Sequence, residues 1–262
     1  MQNTIIKLHI DGTEVEIEKN EGKTILNLAQ LCGIKIPTLC YHPILEPHGG
    51  CRLCMVEITK PSWNGWSKLV VSCAYPAEDR LIVKTNSEQV YEARKFVLEL
   101  LLTRCPDSKR IQELADEYGI KESRFVSAEK HDSDIMKNCI LCGLCVRVCR
   151  DLIGESILSF AYRGVTRKIM TPYGEPSELC LACGACAFVC PTGAIELNNV
   201  VPYRTVEPWH TKQEMKQCFS CGEYFIPVIL ADKLKRKIDV NFDMIELCSN
   251  CRRKKVVENI IP

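Results

Sequence analysis

Eighteen of the 262 residues are cysteines, and sixteen of them fall into four sets built around C-x2-C steps. Two residues between thiols let a short loop wrap one face of a metal centre, with thiolates as the ligands. The densest sets form a repeat 41 positions apart: Cys139-Ile-Leu-Cys142-Gly-Leu-Cys145-Val-Arg-Val-Cys149 and Cys180-Leu-Ala-Cys183-Gly-Ala-Cys186-Ala-Phe-Val-Cys190. A [4Fe–4S] cube needs a thiolate at each of its four iron corners. Three can come from one C-x2-C-x2-C turn, and the fourth from the companion motif. Crossed ligation of this kind assigns Cys139, Cys142, Cys145 and Cys190 to a first cube. It assigns Cys180, Cys183, Cys186 and Cys149 to a second. Structural zinc is the plainer alternative, and the doubled motif argues against it. Gly143 and Gly184 allow close backbone approach to inorganic sulfur. Pro191 follows Cys190, as the motif prefers, whereas Arg150 follows Cys149. That departure is expected to alter the local turn without removing a ligand.

A third set, Cys40, Cys51, Cys54 and Cys73, has ten residues before its C-x2-C pair and eighteen after it. A [2Fe–2S] rhomb takes two thiolates per iron. A glycine-containing loop such as His48-Gly49-Gly50 can wrap it, with the last ligand on a following strand. Structural zinc is the rival reading. The fourth set, Cys218, Cys221, Cys248 and Cys251, is two C-x2-C knuckles separated by 26 residues. Tetrahedral S4 coordination makes structural zinc the leading expectation, with a further cluster or a single iron left open. Cys32 and Cys105 remain over, and both are expected as small buried side chains. His42, His48 and His210 are expected to be ordinary polar residues, because every set already has four thiolates.

These ligands need elements to hold them. Alternating apolar and polar residues over Thr4–Ile10 and Thr13–Glu18 flank Asp11-Gly12, a hairpin signal. Thr24 caps a short helix stopped by Gly33, and strands are expected at Met55–Ile58, Leu69–Cys73 and Leu81–Val83. Asn86 and Gln89 mark the start of a helix over Val90–Arg104, broken by Pro106. Its stretch Phe96–Leu102, interrupted by Glu99, reads as a buried helix face. Asp107 would cap a second helix, Ser108–Tyr118, ended by Gly119. The fold class is therefore α+β. Residues 1–85 form a ferredoxin-like module, 86–131 a helical connector, 132–199 a two-cluster module and 200–262 a four-cysteine, zinc-ribbon-like tail. Roughly sixty residues bury little apolar surface alone, so a metal staple in the tail is physically useful.

The residues Ile36-Pro-Thr-Leu-Cys40-Tyr-His-Pro, Gly50-Cys51-Arg-Leu-Cys54-Met-Val-Glu57 and Val71-Ser-Cys73 resemble a known family. It comprises the amino-terminal ferredoxin part of the large iron–sulfur subunit of respiratory complex I and the relay subunits of NAD-linked hydrogenases and formate dehydrogenases. The resemblance runs from about residue 4 to 198 and includes Tyr162-Arg-Gly164 and Pro172-Tyr-Gly-Glu175. It implies a β-grasp first module and carries the [2Fe–2S] ligands onto Cys40, Cys51, Cys54 and Cys73. The family usually adds a histidine and three cysteines that bind a further cube. The matching stretch here, Leu101-Leu-Thr-Arg-Cys105-Pro-Asp-Ser-Lys109, has one cysteine and no histidine, so that cluster is expected to be absent.

Net charge is +1, from 34 basic and 33 acidic residues, which points to neither nucleic acid nor a membrane surface. No apolar run approaches the roughly 18 residues of a membrane span, no signal peptide is visible, and thiolate ligation fits a reducing compartment. A cytoplasmic location is therefore expected. The basic runs Lys233–Lys237 and Arg252–Lys255 read as a solvated face, with a docking surface for an acidic partner as the sharper alternative. No glycine-rich dinucleotide loop follows a strand and opens a helix, so no nicotinamide or flavin site is expected. The chain stops after the knuckles, where iron-only hydrogenases of similar amino half continue into a catalytic domain. A relay subunit is thus expected, between a flavin- and NAD(H)-binding diaphorase-type partner and a hydrogenase or formate dehydrogenase subunit. A bifurcating assembly with ferredoxin as third participant fits the same resemblance. The rivals are a free multi-cluster electron carrier and a piece of a catalytic NADH dehydrogenase core.

Overall fold

The computed structural model describes residues 5–18, 22–125, 138–237 and 245–260. The expected junction at residues 131/132, and the first residue of the Thr4–Ile10 strand, lie outside the described residues. The chain divides into two compact units at residues 144/145.

In the first unit, β1 (Ile5–Ile10) and β2 (Thr13–Glu18) pair antiparallel with Ile10 opposite Thr13. Both turn residues take positive φ, Asp11 at 49° and Gly12 at 85°, which matches the twist a two-residue hairpin needs. Helix α1 (Ile25–Leu31) begins in a capping box. The Thr24 hydroxyl accepts from the Asn27 N–H at 3.3 Å, and the Asn27 side chain accepts from the Thr24 N–H at 3.1 Å. Its face Ile25, Leu26, Leu28 and Ala29 is buried in one core with Ile6, Leu8 and Ile10. That core also takes residues of β3 (Met55–Thr59) and β5 (Ile82–Lys84). With β4 (Ser67–Val71) the sheet runs β2-β1-β5-β3-β4, and β1 and β5 are parallel. β4 starts and stops two residues before the expected Leu69–Cys73, so Cys73 lies in the turn beyond the strand rather than on it.

Helix α2 (Glu88–Arg104) is capped by Ser87 rather than Asn86, the Ser87 hydroxyl accepting from the Val90 N–H at 3.4 Å. Helix α3 (Lys109–Glu117) begins after Ser108 rather than Asp107. The face expected over Phe96–Leu102 divides differently. Leu98 is buried, Phe96 and Leu100 are exposed, and Glu99 is itself buried. An Arg124 hydrogen bond at 2.7 Å supports the Glu99 carboxylate, which is why the charge tolerates burial. Buried Arg94 ties α2 to the sheet through two bonds to the Met55 carbonyl, 3.1 and 2.7 Å.

Helix α4 (Leu144–Arg147) begins at the last residue of the first unit and passes, in the second, into a π-helical turn, Val148–Ile153, closed by Gly154 in the left-handed region. No proline follows Cys149, so the helix continues where the second motif, with Pro191, stops. Strands β6 (Ser159–Ala161) and β7 (Lys168–Met170) pair with each other. After α5 (Ala185–Phe188) come β8 (Glu196–Val200), β9 (Tyr203–Glu207), β10 (Thr211–Gln217) and β11 (Tyr224–Pro227), one four-stranded antiparallel sheet. The boundary expected at residues 199/200 falls inside β8, so cluster module and tail share a sheet. Helices α6 (Val228–Lys237) and α7 (Ser249–Ile260) complete the unit. Among the described residues no helix is long and apolar enough to cross a membrane.

Thr24→Ala removes one half of the capping box. It should lower unfolding free energy by about 1 kcal/mol, read from the denaturant midpoint, while Thr24→Ser retains most of that stability.

Candidate cluster and metal sites

Cys40, Cys51 and Cys54 sit on the long loop between α1 and β3, and Cys73 on the turn after β4. The turn is held from three sides. The Ser72 hydroxyl and N–H both donate to the Cys54 carbonyl, at 2.8 and 3.0 Å. The carbonyls of Ser72 and Tyr75 accept from the Leu26 and Ile25 N–H groups at the start of α1, both at 3.0 Å. Gly49 has φ of 66°, and a Cβ there would come within 3.2 Å of Val71, so the loop closes over the strand only with glycine.

The four thiols act as two pairs. Contact with Cys40 lowers Cys51 to about 6, and the Cys40 thiol is pushed up by the same contact and by burial. Contact with Cys73 lowers Cys54 to about 7, and Cys73 is pushed up in turn. The Cys51 N–H also donates to the Cys40 sulfur at 3.2 Å. One thiolate in each pair is therefore already favoured near neutral pH.

The doubled motif folds as the same loop twice. Leu141 and Gly143 have φ of 55° and 76°, and Ala182 and Gly184 have 46° and 81°. Successive N–H groups in such turns converge on an anion. The Leu141 N–H donates to the Cys139 sulfur at 3.4 Å, and the N–H groups of Ala182, Ala185 and Ala187 act on Cys180, Cys183 and Cys186. Burial dominates at those three thiols and pushes them up, Cys186 to about 12. At Gly184 a Cβ would meet Leu197 at 3.0 Å.

Cys149, Cys180, Cys183 and Cys186 line one cavity of the second unit, walled by Leu158 and Trp209. The hydroxyl of Thr211, another lining residue, is buried there and draws the Cys180 thiol down against burial, a donor suited to a sulfur-rich group. Those residues fit an iron–sulfur cube. The ligand set expected for the first cube is divided along the chain, with Cys139 and Cys142 in the first unit and Cys145 and Cys190 in the second.

The tail brings Cys218, Cys221, Cys248 and Cys251 together with all sulfurs within 4.8 Å of one another. Cys218 and Cys221 lie between β10 and β11, and the second pair lies at the start of α7. Burial raises the Cys218 thiol, but the N–H groups of Cys248, Cys221 and Ser220 outweigh it and hold it at about 6. Cys221 is raised to about 12: the Glu223 N–H opposes the rise, and the Cys251 and Cys218 sulfurs drive it.

The two leftover cysteines diverge. Cys105 is buried among Leu98, Ile111 and Leu114, and burial pushes its thiol up to about 12, so it is inert. Cys32, expected buried, is exposed, because it caps the end of α1 beyond the helix's apolar face. No disulfide joins any of the eighteen. His42 accepts from the Ile44 N–H at 3.4 Å, and His210 faces Glu207 at 2.7 Å.

Two family models match. Residues 3–88 match a 2Fe-2S iron-sulfur cluster binding domain, and residues 138–194 a 4Fe-4S dicluster domain. The NAD+-reducing [NiFe]-hydrogenase, solved in its H2-reduced state, has a chain 31% identical at a TM-score of 0.54, covering 63% of this chain and 74% of that one. The chain belongs to the iron–sulfur subunit family of NAD-linked hydrogenases and NADH-quinone oxidoreductases. A subunit of the NADH-quinone oxidoreductase of Rhizobium meliloti is 33% identical over 83% of this chain. The HndD subunit of the NADP-reducing hydrogenase of Solidesulfovibrio fructosivorans is 35% identical over 73%. The chain spans 27% and 36% of the lengths of these two curated relatives.

Sequence reasoning singled out the cysteine sets but missed the groups that surround them. Thr211 and Arg204 lie in no local motif, and Ser72 and Lys233 lie in ones, Val71-Ser-Cys73 and the basic run Lys233–Lys237, that do not reveal their partners. Only the strand register and the α6 position bring them to the cysteines.

The tail site should respond to acid with a defined sign. A Cys218 thiol held near 6, below its ordinary value, stays thiolate at neutral pH and is protonated only as pH falls through about 6. In metal-free chain the ultraviolet thiolate absorbance should therefore fall between pH 7 and pH 5, and Cys218→Ser should remove its share of that fall.

Proposed function

We propose that this chain is an electron relay carrying one [2Fe–2S] cluster, two [4Fe–4S] clusters and one structural zinc. The rhomb takes Cys40 and Cys51 on one iron and Cys54 and Cys73 on the other, within a β-grasp module. The first cube takes Cys139, Cys142, Cys145 and Cys190, and the second Cys180, Cys183, Cys186 and Cys149. Bound clusters supply reversible one-electron transfer. The chain's part is to hold each thiolate with backbone N–H groups and to shut water out with Leu158, Leu181 and Trp209. The observation that carries the reading is that Cys149 of one motif shares a cavity with three cysteines of the other.

For the tail, zinc is favoured over a cluster. Zinc–sulfur bonds of about 2.3 Å put tetrahedral sulfurs about 3.8 Å apart. Cys221 and Cys248 are 3.7 Å apart here, and all four sulfurs lie within 4.8 Å. A cube, with irons at four alternating corners, would spread its thiolates further.

The relay runs between a flavin- and NAD(H)-reacting subunit and a hydrogenase or formate dehydrogenase subunit, with ferredoxin as a third participant in a bifurcating assembly. The names of the two hydrogenase relatives support this reading. Tagged full-length chain purified from its host should retain stoichiometric flavin- and NAD(H)-binding partner. A chain that elutes alone and accepts electrons from many reductases would instead be a free carrier.

Cluster content gives an independent check. The chain should hold about ten irons, two in the rhomb and eight in the cubes. About fourteen irons with matching acid-labile sulfide would place a further cube near Cys105 or in the tail.

A further inference from the structure

We infer that Lys233 and Glu155 form a charge pair that sets the reduction potential of the cluster held by Cys149, Cys180, Cys183 and Cys186. The inference rests on the crossed-ligand reading of that site.

Lys233 belongs to a basic run whose plain reading is a solvated face. Instead its ammonium donates to the Ile153 carbonyl at 3.0 Å and pairs with the Glu155 carboxylate. The two side chains are only 15% and 24% exposed. Ile153 and Glu155 line the same cavity as the four cysteines. Nearby, Gly154 lies 3.9 Å from the Lys237 ammonium when a Cβ is placed on it, so α6 packs along this turn. Burial is the main influence holding Lys233 below its ordinary value. Cys149 acts in the opposite sense, which puts that sulfur within electrostatic reach of the ammonium.

The pair is delivered by the tail. Glu246, two residues before Cys248, binds Lys235 of α6 at 3.2 Å and Lys216 of β10 at 2.7 Å. Its carbonyl accepts from the Phe219 N–H inside the other knuckle at 2.8 Å. The four-cysteine site and the helix bearing Lys233 are thus joined through one residue. Arg204 supplies a second cation, donating to the Ala182 carbonyl at 3.4 Å.

Reduction adds one negative charge to a cluster, and in a weakly polar interior a nearby carboxylate opposes that charge while an ammonium favours it. Lys233 neutralises Glu155. Removing the lysine alone leaves a bare carboxylate, and removing the carboxylate alone leaves a bare ammonium. The two changes must act with opposite sign.

The test is a redox titration of the reconstituted full-length chain followed by electron paramagnetic resonance. Cys149→Ala identifies the relevant signal as the one it abolishes. Lys233→Met should shift that signal to lower potential and Glu155→Gln to higher potential. The double variant should fall between them, Lys233→Arg should stay near the parent, and the other two clusters should not move. Midpoints that stay put, or move in the same direction in both single variants, overturn the charge-pair assignment. If Lys233→Met fails to hold the cluster, Glu155→Gln decides alone, and no upward shift overturns the inference. Three intact signals in Cys149→Ala overturn the ligand assignment and this inference with it. A lost signal with unmoved midpoints overturns the charge pair only.

Discussion

Thiolate charge gathered in a dry interior is the constraint on which this molecule depends. Four negative sulfurs cannot share a pocket unless something positive meets them; a bound metal supplies the full charges, and backbone N–H groups add oriented partial charge. Paired left-handed residues at Leu141 and Gly143, and again at Ala182 and Gly184, bend two loops so that successive N–H groups face inward. At the tail, N–H groups of Cys248, Cys221 and Ser220 hold Cys218 down against burial. In the first module the thiols divide into two proton-sharing pairs, which halves the charge to be compensated before iron arrives.

This constraint explains what was legible in the sequence. Spacing between ligands is covalent geometry, so the four cysteine sets, the hairpin at Asp11-Gly12 and the Thr24 cap could be read directly. Elements whose limits depend on distant partners could not. β4 ends early because the Cys73 turn is fastened to Cys54 and to the start of α1. Glu99 could pass for an interruption in an apolar face because its partner, Arg124, lies 25 residues away. The junction at residues 199/200 looked like a module boundary because the last cluster cysteine, Cys190, and its proline had just passed. Antiparallel pairing of β8 with β9 carries the sheet across it.

The connector is tied to the first cysteine set by packing. Helices α2 and α3 enclose a small apolar core. Leu98, Cys105, Ile111 and Leu114 are buried there with Leu39 and Leu53, each adjacent to a cysteine of the first set. Apolar packing thus holds the loop of the rhomb from behind. A neutral, buried Cys105 adds volume without adding charge. Next to it, the Arg104 side chain donates to the Cys139 carbonyl at 2.9 Å, anchoring the start of the first doubled-motif loop to the end of α2.

The tail extends the same reasoning. A zinc staple on an independent appendage would stabilise only that appendage. Here β9 and β10 stand between the two kinds of site: Arg204 of β9 reaches the Ala182 carbonyl, and Gln213 of β10 donates to the Cys180 carbonyl at 2.8 Å. The same β10 ends at Gln217, the residue before Cys218. Order imposed at the knuckles is therefore transmitted along one strand to the loop that bears three cluster thiols. Rigid loops matter for one-electron chemistry, because a ligand shell that does not reorganise between charge states lowers the barrier to transfer. The four-cysteine site of the tail thereby bears on the loop of the second motif as well as on the fold of the tail itself.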